Sequence, residues 1–318
     1  MSLLAIFASA ILPIVALAGV GFLLGRTKSV DPGPLNTVVV YVLAPALVFH
    51  SLATTDLGGG TLVRVVAGVT VYTVVMILIA EGVGRLFGRS DPLLSALVLV
   101  SAFPNSGNYG IPVSEFAFGA TGRSTAVLYL ATQSVLVYTV GVYIASRGGG
   151  TSGLAGVGRA FKIPLVYAVL AALAARWLGI VPPETATAMA TLKLVGDASI
   201  PVMLLILGLQ LARTDYGAAL RQAGTANVLK MVVAPVVGIG VALALGFEDP
   251  TVAKVFALEC AMPAAVTPLI LVAEFAGGEQ VGGVDVAEYV STVVLTTTLV
   301  SVPLLTVFIA LLDAGVVF

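Results

Sequence analysis

The sequence predicts an all-α integral membrane protein of ten transmembrane helices, built as two inverted five-helix repeats in which helices 4 and 9 are broken and cross. Three observations carry this prediction. Charge is too sparse for a water-facing surface, the chain has ten uncharged intervals, and prolines recur at one spacing in corresponding helices. Of 318 residues, 59% are hydrophobic and 10% are charged, where a soluble domain carries about 25% charged residues. Mean hydropathy is +1.11. The 15 Lys and Arg nearly balance the 16 Asp and Glu, for a net charge of -1, and nothing points to nucleic acid as a partner. Cys260 is the single cysteine, which excludes an internal disulfide. With His50 the single histidine, no His/Cys metal cluster or Cys–His dyad is expected. No HExxH or paired catalytic Asp motif is visible and no cofactor is implied, so an enzyme is not expected.

Charged residues punctuate the chain, because each is costly at the bilayer centre. The uncharged intervals are 1–25, 32–55, 65–80, 92–114, 124–146, 163–175, 198–212, 231–247, 260–273 and 289–312, and a span needs about 20 residues. Helix 1 (3–25) is one apolar run with Gly21 and Gly25 in a GxxxG packing pattern. It has no basic leader and is too long for a signal-peptide core, so a retained helix is expected. Helix 2 (34–54) holds Pro45 and His50, the latter read as a packed, hydrogen-bonded residue. Helix 3 (62–87) takes in Arg64 by snorkelling, and Glu81 with Arg85 one turn on. Helices 4 (93–119) and 5 (122–146) are long apolar runs. Helix 6 (161–180) passes Arg176, again by snorkelling, to include Trp177. Helix 7 (194–212) contains Asp197, paired in spacing with Lys193. Helix 8 (227–247), helix 9 (252–275, with Glu259 and Glu274 inside) and helix 10 (286–312) complete the set.

The loops after helices 1, 3, 5, 7 and 9 hold Arg26, Lys28, Arg85, Arg89, Arg147, Arg159, Lys162, Arg213, Arg221 and Lys230. The other side holds Arg64, Arg123, Arg176, Lys193 and Lys254. By the positive-inside rule both termini face outward in a multi-pass protein of the cell membrane. The Gly-rich stretch 147–158 reads as a cytoplasmic linker between a first repeat, 1–146, and a second, 159–318. Five spans per half make the repeat inverted. Pro45 and Pro112 are 67 residues apart, as are Pro201 and Pro268.

Helix 4 contains Phe103-Pro104-Asn105-Ser106-Gly107-Asn108-Tyr109-Gly110-Ile111-Pro112, and helix 9 contains Met262-Pro263-Ala264-Ala265-Val266-Thr267-Pro268. Two prolines in each make a poor continuous helix. Unwound backbone at membrane depth is tolerated where protein buries it or it lines a polar cavity. Interrupted segments at matching repeat positions point to a transporter's binding site. Pro112 suits the first position of a second half-helix, and Pro268 marks another; their free N–H groups form positive ends near the midplane. Gly107, Gly110, Pro112, Pro263 and Pro268 are the crossover residues. Asn105, Ser106, Asn108 and Thr267 supply neutral donors, which together favour a small anion. Glu115 and Glu259 are candidates for ion coupling. Glu115 reads equally as an acid stabilising a helix dipole near the interface, and Glu259 as a carboxylate with a structural partner.

These two segments resemble the crossover motifs of the auxin efflux carrier family, which includes the plant PIN-formed auxin exporters, and the resemblance spans the whole chain. It implies an elevator-type secondary transporter and a homodimer. Helices 1, 2, 6 and 7 would form the scaffold, and helices 3–5 and 8–10 the moving transport unit. By motif position Pro112 and Pro268 match the crossover prolines and Asn105 the asparagine that opens the first crossover. The short loop between helices 5 and 6 departs from the long hydrophilic insertion of plant members, so regulation through that loop does not carry over. The implied substrate is a small organic anion, a carboxylate or an auxin-like acid, with proton or sodium as a coupling partner. A sodium-coupled bile-acid-type symporter is the nearby alternative, and a channel the more distant one.

Overall fold

In hydrocarbon every backbone N–H and C=O must find a partner within the protein, which favours helices wherever the sequence permits them. The computed structural model describes residues 3–55, 57–148, 164–213, 220–276, 280–281 and 284–318, and these are helical almost throughout. A two-residue ladder of Gln280–Val281 with Val284–Asp285 is the exception. We number the helices α1 (Leu4–Lys28), α2 (Pro32–Ala53), α3 (Gly59–Leu86) and α4 (Leu93–Ala102). The run Ser106–Ala145 reverses at Gly119, with φ 62 and ψ -145, into α5 (106–118) and α6 (120–145). Then come α7 (Pro164–Trp177), α8 (Thr187–Ala212), α9 (Ala223–Leu245), α10 (Pro250–Cys260), α11 (Thr267–Ala276) and α12 (Val286–Asp313). Among the described residues, 7 helical segments are long and apolar enough to cross a membrane, and α4 and α7 are shorter apolar helices. This is a multi-pass membrane protein.

Local sequence fixes several starts. Asp31 precedes Pro32 and accepts from the Gly33 N–H at 3.4 Å, while Asp249 precedes Pro250 and accepts from the Thr251 N–H at 2.7 Å. Each Asp–Pro pair thus combines a side-chain cap with a residue whose missing N–H costs nothing in the first turn. Asp285 caps α12 through the Glu288 N–H at 3.0 Å.

Helix α1 lies along α8 at backbone contact. A Cβ at Gly21 would fall 2.2 Å from the Leu205 carbonyl oxygen, and one at Gly25 would fall 2.7 Å from the Ala212 Cβ. The small-residue face of α1 is therefore its interface with α8. α2 packs on α7 and α8; α3 packs on α4, α9 and the α5–α6 pair; α10 packs on α9 and the α5–α6 pair.

Four expectations need revision. The seventh helix begins at Thr187 rather than 194, so that the Lys193–Asp197 pair at 2.6 Å lies inside it and not at its start. The second half-helix of the first break starts at Ser106, not at Pro112: a wide π-type turn over Ser106–Gly110 leads directly into it. The sixth helix ends at Trp177 rather than 180, and Arg176 beside its end is held by protein. Its guanidinium donates to the Leu52 and Leu57 carbonyls at 3.2 and 2.9 Å, satisfying the end of α2 and the loop after it. Lys230 is not a loop residue; it is fully buried within α9. The linker 147–158, apart from Arg147 and Gly148, lies outside the described residues, as do Arg159 and Lys162. Arg147 pairs with Glu81 at 2.8 Å, beside the expected Glu81–Arg85 pair at 2.7 Å.

Candidate crossover site

Pro104 and Pro263 lack an N–H and push their preceding residues toward extended backbone. Phe103 is accordingly extended, at φ -108 and ψ 101, where α4 ends. The two interruptions, 103–105 and 261–266, then pair with each other. The Asn105 N–H donates to the Pro263 carbonyl at 2.7 Å, and the Ala265 N–H donates to the Phe103 carbonyl at 3.1 Å. Pro104 and Ala264 face each other across this antiparallel bridge. Neighbouring helices add two further bonds. Gln133 of α6 donates its Nε2 to the Pro104 carbonyl at 2.8 Å, and Thr297 of α12 accepts from the Ala264 N–H at 3.1 Å. These bonds satisfy much of the irregular backbone from within the protein, as burial at membrane depth requires.

Beside this bridge lies a cavity of about 190 Å³. Asn105, Ser106, Gly107, Asn108 and Thr267 all line it, with Asn36, Gln133, Tyr138 and Gln210 from neighbouring helices. None of its lining residues is charged. The Asn105 Nδ2, the Ser106 Oγ and the Gln133 Oε1 are buried without a hydrogen-bond partner, and a dry polar group costs about 1–3 kcal/mol. α5 and α11 begin at this cavity, with Ser106 and Thr267 in their first turns. Two unsatisfied donors, the Asn105 Nδ2 and the Ser106 Oγ, and two positive helix ends, with no fixed cation, suit a small anion. The Gln133 Oε1 is an acceptor and adds nothing to that. The remaining crossover residues Gly110, Pro112, Pro263 and Pro268 are buried in the frame around the cavity.

The two acids separate. Glu259 is fully buried near the end of α10. Its Oε1 accepts from the Ser114 Oγ at 2.6 Å, and its Oε2 has no partner. A Cβ at residue 110 would sit 2.2 Å from that Oε2, so Gly110 is what lets the carboxylate approach. Glu115 lies elsewhere. It is bonded to Arg123, which also donates to Asp197 at 2.6 Å. Glu115 and Arg123 line a separate polar recess of about 750 Å³, together with His50, Glu184 and Lys193.

Sequence reasoning missed Gln133, Arg123 and Lys230. Gln133 was visible as a lone amide in the apolar run 124–146. The other two border uncharged intervals and were read as loop bases.

A family model described as membrane transport protein matches residues 6–153 and 157–309. An uncharacterised transporter of Methanothermobacter thermautotrophicus is 26% identical over 301 residues, covering 92% of this chain and 95% of that one. A Rhizobium meliloti protein named, as a proposal, a malonate transporter is 27% identical over 321 residues, covering 96% of this chain and 95% of its own length. Matched over nearly its whole length, and with the two interrupted segments that mark the auxin-efflux-carrier type, the chain belongs to the membrane transport protein family.

Proposed function

We propose that the protein moves a small organic anion, a carboxylate, across the cell membrane by an elevator-type alternating-access motion. The observation that carries this reading is the uncharged cavity at the paired breaks, with its buried, unpartnered Asn105 and Ser106 groups. An anion seated there accepts from Asn105, Ser106, Asn108 and Thr267 and faces the two helix N-termini. The small volume favours a compact acid. The relative named for malonate transport makes a short dicarboxylate the first candidate.

The topology behind the motion is ten spans, counting α4 with α5, and α10 with α11, as one interrupted span each. The reciprocal pairing of the breaks, one N–H donated each way, is what an inverted repeat would produce. Removing Lys230 from the loop bases leaves the positive-inside bias in place, so both termini are assigned outside. Helices α1, α2, α7 and α8 pack among themselves and form the proposed scaffold of a homodimer; the others form the moving unit. Counterflow in proteoliposomes tests the function. Labelled malonate or another short carboxylate should accumulate saturably against unlabelled acid inside. Flux that never saturates would favour a channel, and no exchange across a panel of mono- and dicarboxylates would sink the reading.

Coupling is assigned to Glu259 rather than Glu115, whose carboxylate is already held by Arg123. A proton on the Glu259 Oε2 would occupy the oxygen that lacks a partner. Glu259→Gln keeps the shape of the protonated acid. It should abolish the response of transport to a pH gradient while exchange of substrate for substrate persists. An unchanged pH response would make Glu259 structural.

A further inference from the structure

Among the described residues, Lys230 is the one Lys or Arg with no exposed surface. Burying an ammonium costs several kcal/mol unless it is well partnered. It lies in a π-helical turn of α9, Leu229–Val233. Its Nζ donates to the Tyr72 hydroxyl at 3.1 Å and to the Cys260 carbonyl at 3.3 Å, and it lies 5.7 Å from the centre of the Tyr72 ring. The Tyr72 hydroxyl donates in turn to the same Cys260 carbonyl at 3.0 Å. Cys260 is the last residue of α10, so this carbonyl belongs to the negative end of the broken helix. The next residue back is Glu259, with its unpartnered oxygen.

A half-helix C-terminus, freed carbonyls and a carboxylate are what hold a coupling cation in transporters with broken helices. Here an amine from α9 already reaches that end. We propose that Lys230 is a tethered cation: its ammonium fills the position under the crossing that a coupling metal ion would otherwise take, and the protein therefore works without sodium. Lys230 does not line the substrate cavity, so it is a positioning residue. It neutralises the negative end of α10 and holds Cys260 to Tyr72 of α3. The consequence for transport rests on the transporter reading above; the ion assignment can be measured without any substrate.

The test is thermal unfolding of the purified full chain in detergent, titrated with sodium, ammonium, methylammonium or choline chloride at matched ionic strength. The parent should melt at one temperature in sodium and in choline. Lys230→Ala removes the ammonium and opens a space beside two oxygens. Its melting temperature should fall by several degrees and recover, saturably, in ammonium, methylammonium or sodium but not in choline. Lys230→Met fills the space without charge and should stay depressed in every salt. Where Lys230→Ala does not fold, Lys230→Ser is read the same way. Saturable stabilisation of the parent by sodium overturns the assignment, and this arm needs no variant. So does a small-residue variant that ignores all the small cations. Failure of carboxylate counterflow would remove the transport reading and leave these melting results to stand or fall alone.

Discussion

Asn105→Ala is expected to weaken carboxylate binding by about 10- to 100-fold while the protein still folds. A hydrogen bond to a charged acceptor contributes about 1.5–3 kcal/mol, and each 1.4 kcal/mol is tenfold in affinity. The side-chain Nδ2 of Asn105 is buried at the cavity and spends itself on no other group. The part of Asn105 that holds the crossing together is its backbone N–H, bonded to the Pro263 carbonyl at 2.7 Å, and alanine keeps it. Calorimetric titration of the purified variant with malonate or the best-exchanged acid gives the ratio. Equal affinity in parent and variant would remove Asn105 from the site.

The second large effect is on folding. Gly21→Ala places a methyl group 2.2 Å from the Leu205 carbonyl oxygen, a backbone atom of the facing helix that cannot rotate away. α1 and α8 must separate to admit it. Overpacking of this kind costs about 1–3 kcal/mol, and more where backbones already touch. Gly19, two residues earlier on the same helix, has nothing within 4 Å of its absent Cβ. Gly19→Ala should be neutral, or slightly stabilising through helix propensity. The melting temperatures of the two variants in one detergent should differ by several degrees, with Gly21→Ala the lower. Equal melting would mean that α1 does not contact α8 through this face.

The helical layout was legible because charge is so rare that each charged residue marks an end or a site. The breaks were legible because Pro104, Pro112, Pro263 and Pro268 are an improbable load for two apolar runs. Their position was less so. Pro112 cannot donate to the residue a turn earlier, and the obvious reading starts a helix there. The chain instead widens the preceding turn, with the Ile111 N–H reaching back to the Ser106 carbonyl. Helix and proline then coexist, and the break moves back to the first proline. Long-range partners were not legible at all. Arg123 meets Glu115 because the chain reverses at Gly119, and meets Asp197 across a sequence separation of 74 residues. Lys230 borders the apolar interval 231–247, where a snorkelling base and a buried one look alike. Only the positions of Tyr72 and Cys260, on two other helices, tell them apart.

Chemical modification of a cysteine introduced at Asn108 tests most directly whether a carboxylate occupies the crossing. The native Cys260 is buried, so the new thiol, at a half-buried position on the cavity wall, is the one a small methanethiosulfonate reagent should reach. Its modification rate is measured in membranes with and without the carboxylate that the parent exchanges best. The expected result is a rate that falls saturably with carboxylate, at concentrations that also saturate counterflow, and that does not change with an uncharged analogue of the same size. A modification rate indifferent to a carboxylate that the same variant still transports would place the substrate elsewhere and contradict the site.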